Sequence, residues 1–185
     1  MQSMLTRIQV TVVAVLLAAA VFGGAGPLAA QGGARGALLE DWAHQRRHIL
    51  AVVDSATPDM LEFRPTPGVR TFAEQIFHLS HVAALIVGRA VTDTPWPPGL
   101  VGDSAGYLHD RAKLRAQADT LLGFVATALA RVSEDDLRGE QTLAGMTLSR
   151  WRWNITALQH SAWTLGQLVP YLRLNGRTPP QFTPL

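Results

Sequence analysis

The sequence predicts an all-α protein, an antiparallel four-helix bundle preceded by an N-terminal signal peptide. Four segments repeat apolar residues at the spacing of one helix face, and turn-rich stretches with proline or glycine separate them. Nothing in the pattern predicts a strand or an internal repeat. The 185 residues suffice for one domain with a sizeable core, and a charged fraction of only 16% argues against disorder.

The first thirty residues have the order of a secretory signal peptide. Arg7 supplies a positive charge, residues 10–22 are apolar, and small residues follow. We place cleavage after Ala30. The apolar run is shorter than the roughly 20 residues of a spanning helix, which favours a cleaved peptide over the alternative, an uncleaved membrane anchor. The sequence therefore predicts an exported protein, periplasmic or secreted, with no stable membrane span after cleavage, a linker at 31–36 and the bundle at 37–182.

The four helices are predicted from their apolar spacing and their end signals. The first spans about 37–55, and the second begins at Thr71, where Glu74 completes a capping box. The third spans about 107–132 and the fourth about 147–174. The core positions expected in the second and third helices are Phe72, Ile76, Leu79, Ala83, Ile86, Leu114, Ala118, Leu121, Val125, Leu129 and Val132. The connection 92–106 is long for a bundle and is expected to cover a pocket.

The fourth helix carries two stripes rather than one. An aliphatic stripe that would suffice to bury the helix comprises Leu148, Trp151, Ile155, Leu158, Ala162, Leu165, Val169 and Leu172. The opposite side carries Trp153, His160, Thr164, Gln167 and Tyr171, with Trp163 at its edge. A surface helix should be polar on that side. We expect one side to face the bundle core and the other a second subunit or a wet cavity, and the alternative is amphipathic surface with aromatic cover.

The composition excludes several kinds of site. The chain has no cysteine, which rules out disulfides, a catalytic thiol and thiolate metal ligands, so any metal must be held by His, Asp, Glu or water. The net charge is only +2, and the basic residues, all arginine except Lys113, are scattered along the chain. We therefore expect no nucleic-acid partner.

The sequence around each of these histidines predicts where the residue lies. His44 and His48 have the i, i+4 spacing that can chelate an ion, but two arginines lie between them and predict an exposed basic face. His109, beside an aspartate, is expected to face solvent. His78 and His81 lie off the apolar stripe of the second helix, so helical periodicity alone predicts that both are at the surface.

Two segments resemble the DinB/YfiT-like family of four-helix-bundle proteins, 70–85 and, more specifically, 158–180. The first matches the family pattern at Thr71, Glu74 and His78, and the second at His160, Gly166, Gln167, Leu168, Tyr171, Leu172, Arg173, Gly176, Pro179 and Pro180. The resemblance implies one metal-binding histidine from the first segment and two from the second. Active members include thiol-dependent transferases, isomerases and metal-dependent hydrolases, and they hold a divalent ion, often zinc or nickel.

This sequence departs from the family pattern at the third ligand position. Thr164 stands there, and Leu165 replaces the arginine that follows. A threonine hydroxyl is a poor zinc ligand. The resemblance leaves His78 and His160 as metal ligands, with His81, one turn from His78, as a candidate third ligand. We interpret the site as a family metal site that has lost one ligand, with a Zn- or Ni-type ion bound weakly or not at all.

Two functions follow. The first is an exported divalent-metal-dependent enzyme of hydrolase or thiol-dependent transferase type, whose nucleophile would be metal-bound water or a cosubstrate thiol. The alternative is a non-catalytic small-ligand-binding or structural bundle, forming a homodimer, with a pocket lined by Trp153, Trp163, Gln167 and Tyr171. In both, His78 and His160 approach each other in a shared cavity with Thr164 beside them. A plain helical interaction protein would instead keep the two histidines apart.

Overall fold

The computed structural model describes residues 33–184, so the predicted signal peptide lies outside the described residues. The long helices are α1 (Gly33–Ser55), α2 (Phe72–Ile86), α4 (Arg111–Leu129) and α6 (Arg150–Leu174). The shorter elements are a 3₁₀ turn (Pro58–Met60), a π-helical turn at the end of α2 (Val87–Val91), α3 (Ser104–Tyr107), α5 (Glu134–Arg138), β1 (Glu140–Leu143) and β2 (Met146–Ser149). No helix of this described part is long and apolar enough to cross a membrane.

Three helix ends lie where the sequence predicted them: the start of α2 and the C-terminal ends of α1 and α6. The capping box of α2 is formed, since the Glu74 amide donates to Thr71 Oγ1 and the Thr71 amide to Glu74 Oε2. The third predicted helix begins later than expected, because Asp110 caps α4 through the Lys113 amide and Ser104–Tyr107 forms a separate turn. The first begins earlier, at Gly33. Every core position predicted for the second and third helices is buried.

The absence of strands was a wrong prediction. β1 and β2 pair as an antiparallel hairpin, with Leu143 opposite Met146. The two residues of its turn, Ala144 and Gly145, have φ of 51° and 78°, the left-handed conformation that a tight hairpin turn requires. Residues 147–149, predicted as helix, therefore belong to β2, and Ser149 caps α6 by accepting from the Arg152 amide.

The bundle is not antiparallel throughout, contrary to the prediction. Two hydrogen bonds between α1 and α6 give their relative direction: Trp42 Nε1 donates to Asn154 Oδ1 (3.0 Å) and Gln45 Nε2 donates to Ser161 Oγ (3.0 Å). The residue numbers of the contacting pairs increase in the same direction along both helices. These two helices are thus parallel neighbours. Both buried hydrogen bonds join polar side chains that would otherwise be unpaired in the core, so they also fix the register of α1 against α6.

The other helix directions follow from similar contacts. α2 is antiparallel to α6, because Tyr171 donates to the Arg70 carbonyl while Gln75 contacts Gln167. α4 is antiparallel to α1, where an ion pair joins Arg46 to Asp119. It follows that α2 and α4 run in the same direction.

The long connection 92–110 exists because α2 and α4 are parallel. The chain must return along the length of α2 before α4 can begin. On this return path the ring of Trp96 lies 5.0 Å from that of His81, and the ring of Tyr107 lies 5.5 Å from that of Phe77. The length of the connection, noted from the sequence as unusual, therefore has a topological reason, like the crossovers of other helical bundles.

The buried face of α6 differs from the aliphatic stripe that the sequence offered. The buried residues are Trp153, Asn154, Ala157, Ser161, Thr164, Leu168, Tyr171 and Leu172. Of the expected stripe only Leu172 is fully buried, whereas Ala162 is exposed and Leu158, Leu165 and Val169 are half-buried. The small side chains of Ala157 and Ser161 allow close helix approach, and Asn154 and Ser161 find partners on α1. The fit of the small side chains and these two hydrogen bonds outweighed hydrophobicity along this helix, although the buried Nδ2 of Asn154 has no partner.

Candidate functional site

The structure brings His78 and His160 together between α2 and α6. Their ring centroids lie 5.1 Å apart with the planes at 70°. Because α2 and α6 are antiparallel, the middle of one helix faces the middle of the other. Thr164, only 3% exposed, lies one turn beyond His160. The juxtaposition expected from the sequence, two histidines with Thr164 beside them, is the arrangement that the fold creates, and His78 is half-buried rather than at the surface.

Both histidines are neutral at physiological pH. Burial, with further contributions from the charges of Arg70, His160 and His81, lowers the pKa of His78 from 6.5 to about 4. Burial and the charge of Arg70 likewise lower the pKa of His160. A neutral imidazole offers one lone pair and one N–H, so this pair can bind a cation or hydrogen-bond a polar ligand.

The two histidines line a cavity of about 360 Å³. Its other lining residues are Arg70, Gln75, Thr156, Gln159, Trp163, Thr164 and Gln167. The cavity is open to solvent, since four of its lining residues are exposed: Arg70, Gln159, Trp163 and Gln167. Its walls are thus polar or aromatic, and Arg70 is the one lining residue with a permanent charge.

A second cavity, of about 650 Å³, adjoins the first and shares Arg70, Gln75 and Gln167 with it. Gln75 Nε2 donates to Gln167 Oε1 at 2.6 Å, so this amide pair forms the boundary between the two cavities. Tyr171 lines the second cavity, and its hydroxyl donates to the Arg70 carbonyl at 2.8 Å. That contact ties the segment before α2 to α6.

The residues present fit two positions of a divalent-metal site and not a complete one. Two imidazoles that bind one tetrahedral ion through a nitrogen each have centroids about 5 Å apart, as here. In the described part of the chain, however, no three His, Asp or Glu side chains form a group that could hold an ion. Nδ1 of His160 is buried without a hydrogen-bond partner, whereas metal-bound histidines are normally oriented by such a partner. Thr164, at the expected third-ligand position, has a neutral hydroxyl and adds no negative charge that would help to hold a cation.

His81 does not complete the group. Its ring packs between Phe77 and Trp96, with centroids 5.0 Å from each, and its buried Nδ1 has no partner. Burial lowers the pKa of His81. Although one turn from His78, it lies under the return connection rather than in the lining of the His78–His160 cavity.

The four predicted pocket residues divide among three environments. Trp163 and Gln167 line the His78–His160 cavity, and Tyr171 lines the adjoining one. Trp153 lies in the core, where its indole N–H donates to the Gln141 carbonyl at 2.8 Å. It shares the angular position of His160 but is two turns, about 10 Å, away along the axis. The prediction that Trp153 lines the pocket was wrong because it used only the residue's angle around the helix and not its height along the axis.

Sequence reasoning missed Arg70 and Gln75 as site residues. Gln75 could have been found, because it lies three residues before His78 and thus on the same face of α2. Arg70 lies outside the helix, before its cap, and no periodicity signals where such a residue points. Its position is set by the tertiary contact of its carbonyl with Tyr171.

The remaining histidines lie elsewhere. His44 and His48 are on the outer face of α1, with ring centroids 4.3 Å apart, and both bond to Thr183 of the C-terminal segment. His109 is exposed, and its Nδ1–H donates a hydrogen bond to Glu62 Oε1 at 2.9 Å. His109 is at the surface as predicted, whereas His44 and His48 are half-buried because they pack against Phe182 of the C-terminal segment.

Comparison with known proteins places this architecture in a family. No curated protein matches the chain. A crystal structure of a DinB-like protein from Bacillus cereus is similar, with a TM-score of 0.67 and 17% identity over 79% of this chain and 95% of that one. The DinB-like protein YjoA from Bacillus subtilis gives a TM-score of 0.63 and 16% identity over 79% and 96% of the two chains. The DinB superfamily model matches residues 41–168, so the chain belongs to the DinB superfamily.

Proposed function

We propose that the cavity between α2 and α6 is the functional site of this protein, and that it is a weakened divalent-metal site. The single observation that carries the proposal is the 5.1 Å separation of the two histidine rings in an open cavity. His78 and His160 would hold a Zn- or Ni-type ion, and a bound substrate or water would complete its shell. Such an ion polarises a substrate or activates water, as a hydrolase or thiol-dependent transferase requires.

A metal-free binding protein is the second candidate, and two observations favour it. Thr164 replaces a third ligand, and His160 Nδ1 lacks the partner that orients a metal ligand. The same cavity would then bind a small polar molecule through hydrogen bonds to the two imidazoles. The bundle fold would serve as a scaffold without chemistry.

Metal content separates the two candidates. The untagged full chain is compared with His160→Ala by elemental analysis and by titration with Zn²⁺ and Ni²⁺. We expect the native chain to bind one ion with a dissociation constant of about 10 µM or weaker, because only two neutral protein ligands are present. We expect His160→Ala to lose that binding. His48→Ala is the matched control, since it removes a histidine from the other close pair. Equal uptake by the native chain and His160→Ala would leave the metal-free candidate.

We also propose export and self-association, each from a separate feature. Residues 1–30 have the charge, apolar run and small residues of a signal peptide, with membrane anchoring as the alternative. Fractionation followed by N-terminal sequencing tests cleavage after Ala30.

The half-buried aliphatic stripe of α6, at Leu158, Leu165 and Val169, supports a homodimer because apolar surface favours association. Light scattering of the purified chain, native and Leu165→Glu, tests it.

A further inference from the structure

We propose that the ligand of the His78–His160 cavity is a small organic anion whose charged group pairs with Arg70. The inference rests on the proposed function, because it takes this cavity as the binding site. It adds the class of molecule that the cavity recognises. Arg70 lines both the histidine cavity and the adjoining larger one, and its charge acts on both histidines, so a ligand beside them lies within the field of its guanidinium.

The cavity has a positive charge that the protein does not neutralise. Neither cavity has an acidic residue in its lining, and among the described residues no carboxylate forms an ion pair with Arg70. The nearest candidate by sequence, Glu74, is already engaged: it caps α2 and lies 3.7 Å from Arg64. The field of Arg70 reaches both histidines, where it contributes to their lowered pKa values.

The other lining groups suit an anion with an organic body. Each neutral imidazole can turn an N–H toward an anionic oxygen, and the Gln75 and Gln167 amides supply further donors. A guanidinium matches a carboxylate or phosphate with two parallel N–H donors. The exposed face of Trp163 lies at the rim, where it can cover the apolar part of the ligand. Arg70 disfavours a divalent cation alone in this cavity, and an anionic ligand that pairs with Arg70 would remove that electrostatic cost.

Binding of matched probes tests the inference on the full chain. The anionic probes are phenylacetate and phenyl phosphate, and the neutral probe is phenylacetamide, which has nearly the shape of phenylacetate. Binding is followed by ligand-observed NMR and by Trp fluorescence. We expect at least one anion to bind in the millimolar range, about tenfold more tightly than phenylacetamide, and to weaken as salt is added. The two anions distinguish a carboxylate from a phosphate ligand.

Substitution of Arg70 locates the effect. We expect Arg70→Gln to reduce anion affinity about tenfold and to leave phenylacetamide unaffected, because only the charge is lost. Arg173→Gln is the matched control, since Arg173 is an exposed arginine of α6 that lines neither cavity. Thermal unfolding of each variant checks that the fold is retained.

The outcomes separate this inference from the proposed function. Equal binding of phenylacetate and phenylacetamide, equal anion affinity in Arg70→Gln and native chains, or no anion binding overturns the inference. If metal then still binds through His160, the proposed function stands alone. If anions bind through Arg70 but no metal depends on His160, the metal proposal fails and the anion site stands.

Discussion

Two close pairs of histidines occur in this protein, and they differ in what surrounds them. His44 and His48 are one turn apart on α1, and both are hydrogen-bonded to Thr183 and packed against Phe182. His78 and His160 come from different helices, line a cavity, and leave Nδ1 of His160 without a partner. The first pair bonds to the C-terminal segment, and its His48 lines a separate cavity of about 250 Å³ beside that segment. What distinguishes the second pair is the buried Nδ1 of His160, which has no partner within the protein.

The comparison shows that chelating spacing within one helix is weak evidence for a site. His44 and His48 have that spacing because helical geometry brings any i, i+4 pair together. The approach of His78 and His160 instead requires a tertiary fold that sets two helices in register. Polar atoms held together by the fold and left unsatisfied are the better indication of binding.

Restoration of the third ligand has the largest expected effect and sharpens the comparison. We expect Thr164→His to raise Zn²⁺ affinity by about 100-fold or more, because the variant offers three imidazole ligands and the native cavity offers two. Titration calorimetry on native and variant chains measures the change. Arg173→His, at an exposed position of the same helix, is the control and should not alter affinity. Unchanged affinity in Thr164→His would mean that the two histidines are not arranged for an ion.

Acid should lower the free energy of unfolding through His78, and this is the second-largest effect that we expect. The pKa of His78 is about 4 in the folded chain and near 6.5 when unfolded, so between these pH values the unfolded state binds more protons. We therefore expect the stability contribution of neutral His78 to be lost as pH falls from 6.5 toward 4. Urea unfolding of native and His78→Gln chains between pH 7 and 4.5 measures it. Parallel pH profiles for the two chains would contradict this expectation.

Loss of the contacts that Phe182 and Thr183 make with His44 and His48 should have the smallest effect on the free energy of unfolding. We expect Phe182→Ala combined with Thr183→Ala to lower the free energy of unfolding by at most about 1 kcal/mol, because these contacts are exposed. The buried bond between Trp42 and Asn154 provides the contrast, since Trp42→Phe leaves a buried carbonyl oxygen unpaired at a cost of about 1–3 kcal/mol. Urea unfolding compares the two. A larger loss from the tail variant would show that the C-terminal segment is part of the core.

The sequence allowed the α2 region to be predicted almost completely. Thr71 and Glu74 cap the helix as expected, and the stripe from Phe72 to Ile86 is buried. These features depend on neighbours within one or two turns, so local chemistry decides them. The hairpin at Glu140–Ser149 was missed because its strands are only four residues long and its turn begins with an alanine at positive φ.

The sequence alone specified approximately where the four long helices lie, how α2 is capped, and which residues share a helix face. It also supplied His78 and His160 as a pair through family resemblance. Only the tertiary structure decided that α1 and α6 are parallel, that the polar face of α6 enters the core, and that Arg70 joins the cavity. The reason is physical: helical periodicity gives a residue's angle around its axis, whereas packing and hydrogen-bond satisfaction choose which face is buried and at what height along the axis two helices meet.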